Sequence, residues 1–163
     1  MLTIYRDLYS KDAPNYISLE QCLDRVKSGK QKSAIEKIRG GDKSLKSKLP
    51  VVLFSGKFNE RKDSSLIQHS GYIILDFDHI DVDKSKSILS LDPFVKACWI
   101  SPSGDGLKAV VKVTNSENHR NHFRALVQYF DSKYNLEVDS TGINESRACF
   151  ESYDPDVIIK IES

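Results

Sequence analysis

What this chain has little of narrows it first. Cysteine is scarce: Cys22, Cys98 and Cys149 are widely spaced, with no CxxC pair among them. That excludes a disulfide framework and a cysteine-based zinc site, and leaves free thiols buried in a reducing compartment. An excess of one charge is missing too. The net charge is +1, so any attraction to nucleic acid has to come from a local basic patch. No apolar stretch approaches the ~20 residues of a membrane-spanning helix. No long apolar run follows Met1-Leu2-Thr3-Ile4-Tyr5-Arg6-Asp7 as it would in a secretory leader. The expectation is a cytoplasmic protein with no membrane partner. Internal repeats, low-complexity tracts and linkers are absent, so the 163 residues read as a single domain with its own core.

What is present is an alternation of strand-like and helix-like segments. Leu2 to Arg6 predicts a first strand. Ser18-Leu19-Glu20-Gln21 is a capping box, opening a helix with Cys22, Leu23 and Val26 on one face and a stop at Gly29. A second box, Ser33-Ala34-Ile35-Glu36, predicts a short helix closed by Gly40-Gly41, and a basic, exposed stretch runs from Asp42 to Lys48. Val51 to Phe54 is strand-like, and the polar residues 56–70 read as a loop holding at most a turn of helix. A helix from Asp81 to Ser90 stops ahead of Pro93, and a strand follows at Val95 to Ile100. Leu107 to Thr114 alternates cleanly: Leu107, Ala109, Val111 and Val113 face one way, Lys108, Val110 and Lys112 the other. A long helix from Ser116 to Tyr134 carries Phe123, Leu126, Val127, Phe130 and Tyr134 at helical spacing. Short strands are expected at Leu136–Asp139, Arg147–Glu151 and Val157–Ile161. The order predicts an α+β fold of the α/β-sandwich kind, with a helical part over 1–49 and a sheet core over 50–163.

The chemistry gathers around Tyr72-Ile73-Ile74-Leu75-Asp76-Phe77-Asp78. A short apolar run reads as a strand buried on both faces. Residues i and i+2 share a face, so Asp76 and Asp78 project together from its end. Two like charges that close need a cation between them, and a hard divalent metal prefers carboxylate oxygen. An EF-hand loop does not fit: counting from Asp76, the turn glycine would be Asp81 and the closing glutamate Ser87. Ser101-Pro102-Ser103-Gly104-Asp105-Gly106-Leu107-Lys108 is a Ser/Gly turn with a lysine after it, which suits a phosphate. It is not a Walker A loop, and alone it reads first as a plain hairpin turn with a surface lysine. Leu136-Glu137-Val138-Asp139 repeats the apolar lead-in to a carboxylate, and Arg147, a bidentate partner for phosphate, follows a polar turn. His119 and His122 lie three apart on the long helix and read as surface histidines.

In this order the segments resemble the three motifs of the archaeo-eukaryotic primase superfamily. More narrowly, the chain is similar to the N-terminal domain of virulence-associated-E-like (BT4734-like) proteins of mobile elements. The first motif is Ile73-Ile74-Leu75-Asp76-Phe77-Asp78, the second Ser103-Gly104-Asp105-Gly106-Leu107-Lys108, and the third Val138-Asp139 with Ser146-Arg147 after it. The Ser55-Gly56 to Arg61 segment also looks like the narrower family, and the likeness runs from about Pro50 to Asp156. The resemblance implies an RRM-like antiparallel or mixed sheet with flanking helices, and a primase-polymerase nucleotidyltransferase acting in DNA replication of a mobile element. Asp76, Asp78 and Asp139 would be catalytic and hold two Mg²⁺ or Mn²⁺ ions. Ser103, Gly104, Gly106, Lys108, Arg147 and Arg61 would hold the nucleotide. The implied partners are a nucleoside triphosphate, a single-stranded DNA template and a helicase-like domain or protein, this chain being the N-terminal domain of something longer. One departure stands out: Lys108 occupies the second motif's histidine position, supplying a flexible point charge rather than a fixed imidazole. That favours a second reading, a non-catalytic module with a primase fold that binds nucleotide or single-stranded nucleic acid. A metal-dependent nuclease is a third use of the same carboxylates.

Overall fold

The computed structural model describes residues 1–160. The chain runs β1 (Leu2–Tyr5), β2 (Asn15–Ile17), α1 (Leu19–Ser28), α2 (Lys32–Arg39), a 3-10 helix (Lys43–Lys48), β3 (Val51–Leu53), β4 (Gly56–Phe58) and β5 (Leu66–His69). It continues with β6 (Tyr72–Phe77), α3 (Val82–Leu91), β7 (Val95–Ile100), β8 (Leu107–Lys112), α4 (His119–Tyr134), β9 (Ala148–Phe150) and β10 (Ile158–Ile159). The strands form two antiparallel sheets, β2-β1-β3-β9 and β10-β7-β8-β6, and a β4-β5 hairpin. The fold is α+β, as expected.

Strand periodicity explains how the layers stack. Ile73, Leu75 and Phe77 of β6, with Leu107, Ala109 and Val111 of β8, pack against Leu89 of α3 and Phe123 and Phe130 of α4. The alternate residues Ile74 and Val110, with Trp99 of β7, turn the other way and meet Leu2, Ile4, Val52 and α1. Each large side chain buried here contributes about 1.5–3 kcal/mol. The run Tyr72–Phe77 is thus apolar on both faces because both are covered. The same alternation places Asp76 and Lys108 on the face that looks towards the other sheet. Register makes them direct cross-strand partners.

The β6-α3-β7-β8-α4 order continues into residues 136–139, which return alongside β6: the Asp139 N–H donates to the Asp76 carbonyl at 2.8 Å. This is an RRM-like connection with its last strand reduced. The short strand expected over Leu136–Asp139 does not form. Asp139 instead caps a 3-10 helix, Ser140–Ile143, accepting from the Thr141 N–H, and the chain leaves the sheet there.

Three other expectations shift, and one strand is unforeseen. Residues 56–70 are not a loop but the β4-β5 hairpin, which lays Phe58 over Tyr5, Val51 and Leu53. Its apolar alternation is too short to show as a strand pattern. The edge strand β2 carries no signal for the same reason. The box at Ser33 is not used: α2 starts at Lys32 behind Gln31, which makes no side-chain cap. The chain turns out of the left-handed Gly29 (φ 81°), and the Lys32 N–H bonds to the Gly29 carbonyl, so the helix begins earlier. The final strand is Ile158–Ile159, and Ile161 lies outside the described residues. The capping box at Ser18 is formed, with Gln21 as the reciprocal partner. Residues 1–49 hold α1 and α2, and join the core through β1, which sits between β2 and β3. All three cysteines are free and buried. Among the described residues no helix is long and apolar enough to cross a membrane.

Candidate functional site

At the end of β6 the chain passes from buried Asp76 (7% exposed) to exposed Asp78, then turns through His79, which has φ 53°. The turn between β7 and β8 is fastened to this corner. Asp105 pairs with His79 at 2.8 Å, and its carbonyl accepts from the Ile80 N–H at 3.1 Å. The two glycines of that turn are used for shape. Gly104 has φ 84°, and a Cβ on Gly106 would stand 2.5 Å from the Phe77 carbonyl oxygen. Arg39, from the end of α2, braces the turn from behind by donating to the carbonyls of Ser101 (3.0 Å) and Tyr153 (2.9 Å).

Lys108 reaches across from β8 and donates to Asp76 Oδ1 at 2.6 Å. Arg147 donates to Asp76 Oδ2 at 3.1 Å and to Asp139 Oδ2 at 3.4 Å. Burial alone would raise the Asp76 pKa, but Lys108 and Arg147 together hold it below the usual carboxylate range. Burial likewise opposes the charge on Lys108, yet neighbouring Cys149 and Asp76 hold it above the ordinary lysine range. Arg147 is also raised against the cost of burial, chiefly by Asp76. The loop carrying Arg147 hangs on Asp63, which accepts from the Ser146 N–H and hydroxyl, from Asn144 and from Arg120.

These groups surround a pocket of about 250 Å³, whose lining includes Asp76, Asp78, Ser103, Lys108, Arg147 and Lys46. The structure thus gathers five of the sequence-derived site residues. Asp139 stands behind Arg147 rather than in the lining, and Gly104 and Gly106 shape the wall. Arg61 is elsewhere: on the β4-β5 hairpin, it donates to the Leu8 carbonyl at 2.9 Å. Sequence reasoning missed Lys46, Arg39 and Asp63. Lys46 lies in the stretch noted as basic; for the other two, separated from their partners by 62 and 83 residues, no local signal exists.

The carboxylates present do not fit two divalent ions as they are arranged. Both oxygens of Asp76 are taken by cations, and Asp139 gives one oxygen to Arg147 and the other to Thr141. Only Asp78 has no hydrogen-bond or ion-pair partner among the described residues. Among those residues no three His, Cys, Asp or Glu are grouped to hold a metal. Lys108 and Arg147 already engage the Asp76 oxygens that a metal would need. What the arrangement fits is an anion that can compete with Asp76 for them.

No curated protein and no solved structure matches the chain. The family model for the BT4734-like, N-terminal domain matches residues 44–158, a stretch that takes in β6, the β7-β8 turn, Lys108, Asp139 and Arg147. The chain belongs to the BT4734-like N-terminal domain family.

Proposed function

We propose that the cleft binds the phosphates of a nucleoside triphosphate, and that the domain is a primase-polymerase-type nucleotidyltransferase serving DNA replication of a mobile element. The observation that carries this reading is convergence. The end of β6, the β7-β8 turn, the start of β8 and the loop after α4 deliver Asp76, Asp78, Ser103, Lys108 and Arg147 to one pocket. Phosphate oxygens offer Lys108 and Arg147 the same charge-assisted bonds that Asp76 gives them now. In nucleotidyl transfer a sugar hydroxyl attacks the α-phosphorus and pyrophosphate leaves. Lys46, Lys108 and Arg147 would offset the charge gathering on that leaving group. Ser103, whose hydroxyl donates to Asp105 at 3.0 Å, lines the same pocket and would turn from Asp105 to donate to a further phosphate oxygen.

Primer synthesis on single-stranded DNA tests this, with NTPs or dNTPs and added Mg²⁺ or Mn²⁺. Product is expected from the native chain and not from Lys108→Ala. Product that persists in Lys108→Ala/Arg147→Ala sinks the mechanism. A second reading, a non-catalytic nucleotide-binding module, is favoured by one observation: both Asp76 oxygens are engaged by cations. It expects triphosphate binding that needs no metal, and no product.

A further inference from the structure

Residues 27–48 hold eight Lys or Arg and only two acids, Glu36 and Asp42, in a chain of net charge +1. The rest of the protein is therefore net acidic, and this segment is its one concentrated basic block. We propose that the surface of α2 and of the 3-10 helix Lys43–Lys48 is a track for the phosphate backbone of single-stranded nucleic acid, leading to the cleft. The proposal rests on the cleft's being a nucleotide site only for the direction of the track. Residues 27–43 lie outside the stretch matched by the family model.

Geometry turns the block into a path. Lys30, Gln31, Ser33, Lys37 and Leu45 line a depression of about 270 Å³. The next residue, Lys46, lines the cleft itself. On the other side, Gln31 and Lys48 border a depression of about 470 Å³ with Arg6 and Arg25. Arg39 ties the end of α2 to the cleft wall through the Ser101 carbonyl, so track and cleft hold a fixed relation.

The chemistry selects the partner. A helix that lies on a lipid surface exposes an apolar face. Here Ile35 and Ile38 are fully buried against Leu49, and the outward residues are Lys32, Ser33, Glu36 and Lys37. Two half-buried aromatic rings interleave with the lysines. The Lys32 ammonium lies 5.7 Å over Tyr153, and that of Lys46 lies 5.6 Å over Phe150. Cations beside flat rings are what an unpaired strand uses, its phosphates meeting the charge and its bases stacking.

The test is fluorescence anisotropy of labelled oligothymidylate across a salt series, comparing the full native chain with Lys30→Gln/Lys32→Gln/Lys37→Gln. Each lost phosphate contact removes about 0.7 from the slope of log affinity against log salt, so the triple variant should lose about 2 in slope and bind about tenfold more weakly. Its melting temperature and its calorimetric affinity for ATP should not change. Unaltered oligonucleotide affinity and slope overturn the track. Equal binding of a DNA duplex overturns the single-strand assignment, and lysine-dependent binding to phosphatidylserine vesicles without oligonucleotide binding overturns it in favour of a membrane. Loss of ATP binding in the native chain, with oligonucleotide binding still lysine-dependent, refutes the nucleotide cleft and leaves the track standing.

Discussion

Replacing Lys108 with Met asks how much the fold depends on the ion pair at the centre of the cleft. The Lys108 and Asp76 side chains are 11% and 8% exposed and 2.6 Å apart, so water screens the pair little. Methionine keeps most of the volume and removes the charge. Removing one partner of a buried pair costs about 3–5 kcal/mol when nothing replaces it. Arg147 stays 3.1 Å from Asp76, which holds the expectation to the lower end, about 3 kcal/mol. In a domain of this size that is a fall of about 6–12 °C in Tm. Asp76→Asn/Lys108→Met removes both charges and should cost at least about 1 kcal/mol less than the two single changes added together. The native chain should also lose stability as pH falls through the Asp76 pKa. That pKa lies below its unfolded value, so the contribution is present above the unfolded value and disappears in acid. Lys108→Met should show less of this loss. Guanidinium unfolding followed by Trp99, the only tryptophan and 2% exposed, reads all three variants. An unchanged midpoint for Lys108→Met, or strict additivity in the double variant, would refute the reasoning.

The remaining predictions concern other parts of the molecule. His69 accepts from the Gly71 N–H and shares a 2.9 Å bond with His119; burial, then the charge of His119, depresses its pKa to about 4. The folded state then binds fewer protons than the unfolded one. Stability should be full above about pH 6.5 and decline towards pH 4, and the urea midpoint of His69→Asn should fall less over that range. Gly106→Ala, whose Cβ would press on the Phe77 carbonyl, should destabilise by about 2–4 kcal/mol; a melting curve matching the native one would contradict the close approach. Burial pushes the Cys149 thiol up to about 11 and the Cys98 thiol up to about 12, and raises Cys22 as well. A thiol reagent should therefore leave the native protein unlabelled and label three sites in denaturant; labelling of the folded chain would show the core to be open.

The fold was legible where local rules and tertiary packing agree. The capping box at Ser18, the alternation from Leu107 and the aromatic stripe of the long helix each state a period that the core then uses. It was illegible where the deciding partner is far away in sequence. Gly56–Phe58 is a strand because Leu66–His69 pairs with it and Phe58 fills a hole under Tyr5, not because three residues show a pattern. Leu136–Asp139 has a strand-like composition and fails to become one because Asp139 spends its side chain on a cap. The site follows the same rule. Asp76 and Asp78 announce themselves at the end of an apolar run, Lys108 after a Ser/Gly turn and Arg147 after a polar one. Arg39 and Asp63, which hold the turn and the Arg147 loop in place, are an ordinary arginine and aspartate until the chain is folded.

The one fact that changes the chemistry is register. Strand periodicity already places Asp76 and Lys108 on matching faces of their strands; only pairing β6 to β8 makes them opposite one another. The cation that Asp76 demands is then supplied from within the protein, by a side chain whose charge burial does not remove. A histidine at this position would be partly neutral at pH 7 and would free Asp76 Oδ1 part of the time; a lysine holds it. Any ligand of the cleft must therefore compete with a carboxylate already in place. A singly charged anion only exchanges one carboxylate-like partner for another. A triphosphate brings several charges to Lys46, Lys108 and Arg147 at once, and so can win the exchange. Affinity should accordingly rise steeply from mono- to tri-phosphate, and a flat series would mean that Asp76 keeps its partners and the ligand binds outside the pair.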